Sequence, residues 1–246
     1  MARPKSARLL FITGTDTGVG KTVLTALLLA HLRHSGCHAL ALKPFCSGGR
    51  TDVRLLRAVQ DRELTAEEIN PFYFKEPVAP IVSARQHQRA VRLPQVLDHI
   101  RSMARRCQCL LIEGAGGLLV PLGEGFSVLD VIAGLRCEVV VVSRNKLGTI
   151  NHTLLTARAL LPHGPRLSGR PSSAPLSRTH ASLRSVVLMP SRTEDASSRS
   201  NAAILAELLA PTPLVPLPFL GPHCRALAAV NANARKLKQS LAQVLG

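Results

Sequence analysis

The run Gly14-Thr15-Asp16-Thr17-Gly18-Val19-Gly20-Lys21-Thr22 lies between the apolar stretch Leu9-Leu10-Phe11-Ile12 and a helical pattern that begins at Val23. Strand, glycine-rich turn and helix in that order make a cradle for phosphate. Backbone N–H groups from Gly18 to Val23 converge on one anion, and the helix N-terminus adds its partial positive charge. Lys21 reaches the terminal phosphates of a triphosphate held there, and the Thr22 hydroxyl is placed to ligate Mg²⁺. Mg²⁺ and a nucleoside triphosphate are therefore the expected ligands. The strict form of such a loop has glycine five positions before Gly20, where this chain has Thr15.

Four further segments carry suitable chemistry. Lys43-Pro44-Phe45-Cys46-Ser47-Gly48-Gly49 closes a second apolar run. Ligands of parallel sheets sit at the carboxyl ends of the strands, so Lys43 is expected to point at the phosphate loop and to stabilise charge on a transferring phosphoryl group. Ser47 offers a hydroxyl in the same loop, and Asp52 either caps a helix or ligates Mg²⁺. Glu113 ends the run Leu110-Leu111-Ile112 and precedes Gly114-Ala115-Gly116-Gly117, which lets backbone approach a ligand. A hard cation that keeps several waters wants one or two such carboxylates. Lys146-Leu147-Gly148-Thr149-Ile150-Asn151-His152 opens a helix whose N–H groups from Gly148 to Asn151 suit a carboxylate. His152, in the first helical turn, reads as a packing or capping residue.

These groups meet only if a parallel sheet gathers the strand ends. Apolar runs predict strands near 8–13, 38–43, 108–113, 137–143 and 184–189, with a short last one near 213–217. Helical patterns cover 21–35, 93–106, 150–161, 199–209 and 224–243. The alternation predicts an α/β fold, a phosphate-loop NTPase-like parallel β-sheet flanked by helices on both faces. A length of 246 residues suits one domain over 1–246, with a flexible insertion at 162–182, where Pro, Ser and Arg dominate.

Composition narrows the class. Hydrophobic residues make up 46 % and charged residues 19 %, as in a folded globular chain. No apolar run approaches the ~20 residues that span a bilayer, and the apolar segment after the basic N-terminus breaks at Gly14 and Asp16. A cytoplasmic protein without membrane partners is expected, with its six cysteines as reduced structural thiols, Cys107 and Cys109 included. A net charge of +16 attracts polyanions, but the excess is spread along the chain without interleaved aromatics, so nucleic acid is not the expected partner.

Gly14-Thr-Asp-Thr-x-Val-Gly-Lys-Thr22, Lys43-Pro-x-x-Ser-Gly48, Glu113-Gly-Ala-Gly-Gly117 and Lys146-Leu-Gly-x-Ile-Asn-His152, in one order, resemble the dethiobiotin synthetase family. Asn70-Pro71-Phe72-Tyr73-Phe74 and Glu76-Pro77-Val78-Ala79-Pro80 also look like it, and Thr15 is the family's own pattern. The resemblance implies an ATP-dependent cyclo-ligase that carboxylates 7,8-diaminononanoate with CO₂ and closes a ureido ring through a phosphorylated carbamate. It implies Lys21 and Lys43 as the catalytic cations, Thr22, Asp52 and Glu113 as Mg²⁺ ligands, and Ser47 on the diamine end of the substrate. It also implies a homodimer in which Gly148 to Asn151 receive the substrate carboxylate across the interface. Where the family reads adenine with Asn, this chain has Met189, leaving base recognition to the Pro218-Phe219-Leu220 backbone and Asn201, or relaxed. The alternatives are a dimeric switch ATPase, whose signature lysine would align with Asp16, and a non-catalytic paralogue.

Overall fold

The computed structural model describes residues 6–161, 181–191 and 196–246. In chain order its elements are β1 (Arg8–Gly14), α1 (Lys21–His34), β2 (Ala39–Leu42), β3 (Phe45–Ser47), α2 (Thr51–Val59), α3 (Ala66–Ile69), β4 (Phe72–Phe74), α4 (Pro80–Gln86), α5 (Leu93–Ala104) and β5 (Cys109–Gly117). There follow β6 (Pro121–Gly123), β7 (Phe126–Ser127), α6 (Val128–Leu135), β8 (Glu138–Asn145), α7 (Thr149–Leu160), β9 (Ser182–Pro190), α8 (Ser198–Leu209), β10 (Leu214–Pro216), α9 (Leu227–Lys236) and α10 (Lys238–Leu245).

Six strands form one parallel sheet in the order β10-β9-β8-β1-β5-β2, flanked by helices. Successive side chains of a strand point to opposite faces, and Val139 to Val142 are all fully buried, so this sheet is covered on both sides. β1 sits between β5 and β8, with Ile12 opposite both Glu113 and Val140. The loop that leaves β1 is thereby flanked by the ends of both neighbours. Leu42 pairs with Ile112, so the next residues, Lys43 and Glu113, emerge side by side. On the far side, Arg144 of β8 pairs with Met189 of β9.

All six strands lie where the apolar runs predict them. The tail differs: the helix expected over 224–243 is two helices separated at Leu237, and the first begins at Leu227. Gly221-Pro222 turns the chain before it, which keeps residues 221–226 out of the helix. The helix α2, the short helices α3, α4 and α6, the β3–β4 pair and the β6–β7 hairpin have runs too short to stand out by periodicity. Residues 162–180 of the expected insertion lie outside the described residues, whereas Ala181 is buried and Ser182 already belongs to β9.

All six cysteines are free thiols. Burial pushes Cys107 up to about 11 and Cys109 and Cys137 up to about 12, which keeps them protonated. Among the described residues no helix is long and apolar enough to cross a membrane.

Candidate active site

The phosphate loop depends on glycine at two close points. Gly20, the residue before α1, has φ 112°, a left-handed value that suits glycine, and the helix start has no side-chain cap. The first N–H groups of α1 are thus left for a ligand. A Cβ on Gly114 would lie 2.9 Å from the Phe11 ring, so only glycine lets β5 pass β1 this closely. Lys21 folds back over the loop, its Nζ donating to the Asp16 carbonyl at 2.8 Å. Burial pushes the Lys21 ammonium down to about 8, against the pull of Glu113 and helped by repulsion from Lys43.

Beside the loop lies a charged cluster. Glu113 is 1 % exposed, and its Oε1 accepts from Thr22 Oγ1 and from Lys43 Nζ, both at 2.7 Å. Glu113 Oε2 is buried with no hydrogen-bond partner. Lys43 also donates to Asp52 Oδ2, and the other Asp52 oxygen accepts from Arg225. Burial works against the Lys43 charge, but Glu113 and Asp52 outweigh it and hold this ammonium well above its ordinary value. Asp52 is likewise held below the usual carboxylate range, since Lys43 and Arg225 outweigh its burial. Asp52 is in the first turn of α2, which Arg50 precedes, so it is not that helix's cap. Lys21, Thr22, Lys43, Asp52, Glu113, Gly114, Gly116 and Arg225 line one cleft of about 430 Å³ with Gly18, Gly20 and Val23.

A divalent cation fits this chemistry. The Thr22 hydroxyl, the Asp52 carboxylate and the unpartnered Glu113 oxygen are hard oxygen donors at the mouth of a phosphate cradle. No group of three or more His, Cys, Asp or Glu side chains among the described residues is set to hold a metal by itself. Two carboxylates with water and phosphate oxygens is the Mg²⁺ manner of binding.

The phosphate cleft continues into an apolar one. Gly20, Val23 and Arg144 are shared with a second cleft of about 330 Å³, walled by Val19, Met189, Pro190, Phe219, Leu220 and Cys224. Met189 packs on the loop: its Cε is 3.0 Å from where a Gly20 Cβ would be. Two residues offered from sequence for base reading are placed elsewhere. Asn201 is buried and its amide donates to Asn145 Oδ1 at 2.9 Å, so it is spent inside the fold. Pro218 is exposed and does not line the cleft, whereas Phe219 and Leu220 do.

The remaining residues scatter around this centre. Ser47 and Ala115 do not line the phosphate cleft, although Ser47 Oγ is buried without a partner. Gly148 precedes α7 with φ 89°, and Ile150 and Asn151 follow in its first turn. Thr149 is turned inward, its hydroxyl 2.6 Å from Ser143 and its N–H on the Lys146 carbonyl, so it has little left for a ligand. His152 is exposed instead of packed, and it borders both a small cavity beside Thr15 to Thr17 and an open groove. Two residues that line the phosphate cleft were not singled out from sequence, Arg144 and Arg225. Arg144 follows the Val-rich strand at its carboxyl end, a position that could have flagged it, and it donates to the Gly18 carbonyl. Arg225 has no local signal, because a distant loop delivers it to Asp52.

The class follows from where the loop sits. Between the first strand of a parallel sheet and an uncapped helix, it makes the chain a phosphate-loop NTPase-fold protein. Solved structures agree on the fold: a septum site-determining protein MinD with Mg-ADP from Pyrococcus horikoshii has a TM-score of 0.57 at 15 % identity, covering 97 % of this chain and 94 % of that one. A ParA family ATPase from Chlorobium tepidum gives 0.53 at 12 % identity, covering 99 % of each. A family model described as an AAA domain matches residues 8–170. An ATP-dependent dethiobiotin synthetase of Bacillus licheniformis is 43 % identical over 164 residues, which cover 65 % of this chain and 70 % of the relative. Another, from Anaeromyxobacter dehalogenans, is 38 % identical over 230 residues, 91 % of this chain and 96 % of the relative. The chain belongs to the dethiobiotin synthetase family. At such identities the switch-ATPase alternative is not favoured.

Proposed function

We propose that the phosphate cleft carries out the family's reaction, with this chain an ATP-dependent dethiobiotin synthetase, a cyclo-ligase of biotin biosynthesis. One amine of 7,8-diaminononanoate adds to CO₂ and loses a proton, giving a carbamate. A carbamate oxygen takes the γ-phosphoryl group of ATP, releasing ADP. The second amine then attacks the carbonyl carbon, and phosphate leaves as the ureido ring closes.

The observation that carries this reading is Lys43 Nζ lying between Asp52 and Glu113, 2.7 Å from the latter, in the cleft that also holds Lys21. A fixed cation there meets the carbamate oxygen as it approaches phosphorus and offsets the charge that builds. Lys21 does the same on the phosphate side. Thr22, Asp52 and Glu113 would hold Mg²⁺, which draws negative charge from the phosphates when bound. The loop backbone from Gly18 to Val23, with Gly114 to Gly116, would seat the phosphates, and the Phe219-Leu220 wall the base. Ser47, its hydroxyl buried and unpartnered, would face the diamine end.

The partners in this reading are small molecules, acting in the cytoplasm, and nucleic acid is not the expected partner. We also read 1–246 as one domain that pairs into a homodimer. Supporting the pairing, Leu119 and Leu155, 70 and 60 % exposed, border one open groove along α7, and Leu147, 80 % exposed, precedes the start of that helix, where Gly148 to Asn151 would receive the substrate carboxylate. Exposed apolar side chains gathered at one place mark interaction surfaces. The test is chemical: purified protein with the diamine, bicarbonate and Mg-ATP should yield dethiobiotin and ADP in equal amounts. No dethiobiotin at any useful enzyme concentration overturns the reading.

A further inference from the structure

Arg225 belongs to neither the phosphate loop nor any strand. It stands just ahead of α9, in the segment whose earlier residues Leu220, Gly221, Pro222 and Cys224 wall the apolar cleft. From there its guanidinium lines the phosphate cleft and donates to Asp52, whose other oxygen takes Lys43. The Arg225 side chain remains 48 % exposed, so it is held by this ion pair and not by packing. A half-exposed pair of this kind contributes little to folding. The fold does not need it.

The charges around the cleft suggest what does. Four cations, Lys21, Lys43, Arg144 and Arg225, line the cleft together with two carboxylates, Asp52 and Glu113. When Asp52 turns to a metal ion, Arg225 loses its counter-ion in a cleft whose other cations face polyphosphate. Its planar fork matches a phosphoryl oxygen pair better than a lysine would.

We propose that Arg225 is a further phosphate-contacting residue, which leaves Asp52 for the γ-phosphate when Mg-ATP binds. Because the same segment walls the base cleft, the guanidinium is delivered by the part of the chain that the base touches. The proposal rests on the γ-phosphoryl transfer described above.

The test compares Arg225→Ala and Arg225→Gln with the parent protein by equilibrium binding of a non-hydrolysable ATP analogue and of ADP, with Mg²⁺ and with EDTA, no diamine being present. Thermal unfolding of each variant is recorded alongside. With Mg²⁺, both variants should lose affinity for the triphosphate about tenfold or more and for ADP less than about threefold, because a charged hydrogen bond to the γ-phosphate is gone. Glutamine can still donate to Asp52, so a mere positioning role would leave Arg225→Gln like the parent. That result, or equal losses for ADP and triphosphate, overturns the proposal. Should the alanine variant fail to fold, the glutamine variant decides alone. Loss of triphosphate discrimination in a protein that makes no dethiobiotin would sink the ring-closure reading and spare this one. Dethiobiotin formation with discrimination untouched would do the reverse.

Discussion

Lys43 Nζ lies 2.7 Å from Glu113 Oε1 because β2 and β5 run parallel with Leu42 opposite Ile112, so the two residues leave the sheet at the same height. Their contact is a product of strand register, not of a flexible loop. Positions set by rigid elements are the ones that support chemistry at a fixed point.

Lys43→Ala should therefore abolish ring closure while leaving nucleotide binding nearly intact. Removing one preorganised charge from a transferring group typically costs a hundred- to a thousandfold in turnover. Steady-state rates together with ADP titration check both halves. Retained turnover, or a matching loss of ADP affinity, would contradict the role given to Lys43.

Lys21 predicts a pH dependence. Its value in the fold, about 8, lies below the 10.5 of an exposed lysine, so the protonated form works against folding. That cost is complete below pH 8 and fades as pH rises to 10.5, so this group's effect on stability improves across the window. A bound polyphosphate holds the proton on. Triphosphate binding in EDTA should consequently take up about one proton per site above pH 8, and affinity should fall as pH climbs. Calorimetry in two buffers of different ionisation enthalpy reads that uptake directly, and a buffer-independent heat at pH 9 would count against it.

Base selectivity should be shallow. Met189, Pro190, Phe219 and Leu220 wall the apolar cleft, and Asn201 is committed to Asn145. Apolar pockets separate similar ligands by roughly 10- to 200-fold at most, whereas sites that hydrogen-bond reach far higher ratios. Affinities for ATP, GTP and CTP analogues should fall within about tenfold of one another. A preference above about a thousandfold would mean that a polar group reads the base.

Leu155→Glu should disperse the proposed dimer. The side chain is 60 % exposed on α7, so the change costs the fold little while placing charge in the contact. Light scattering behind gel filtration should show a shift to monomer at micromolar protein, with a raised KM for the diamine and unchanged ADP affinity. A parent protein already monomeric would refute the pairing itself.

Much of this was legible in the sequence, for reasons that differ along the chain. Val139 to Val142 and Leu110 to Ile112 are continuous apolar runs, as a strand covered on both faces requires. Glu113 and Lys43 were readable because each ends such a run, and the carboxyl edge of a parallel sheet is where ligands sit. At Thr149 the sequence shows that the N–H belongs to a helix start, but not that it finds an internal partner in the Lys146 carbonyl. Arg225 was invisible since its neighbour Asp52 is 173 residues away, a contact that only the folded chain creates. The tail break at Leu237 is a single residue in an otherwise helical pattern, below what periodicity resolves.

The pairing of Lys43 and Arg225 with Asp52 and Glu113 has a consequence for how the catalytic cycle ends. A cleft of four bare cations would cling to the phosphate it has just produced. Here two of the four have carboxylates beside them, so both ion pairs would re-form if a metal ion held by those carboxylates left. In the proposed reaction the contacts that hold the resting site would then favour product escape, and inorganic phosphate should inhibit only weakly.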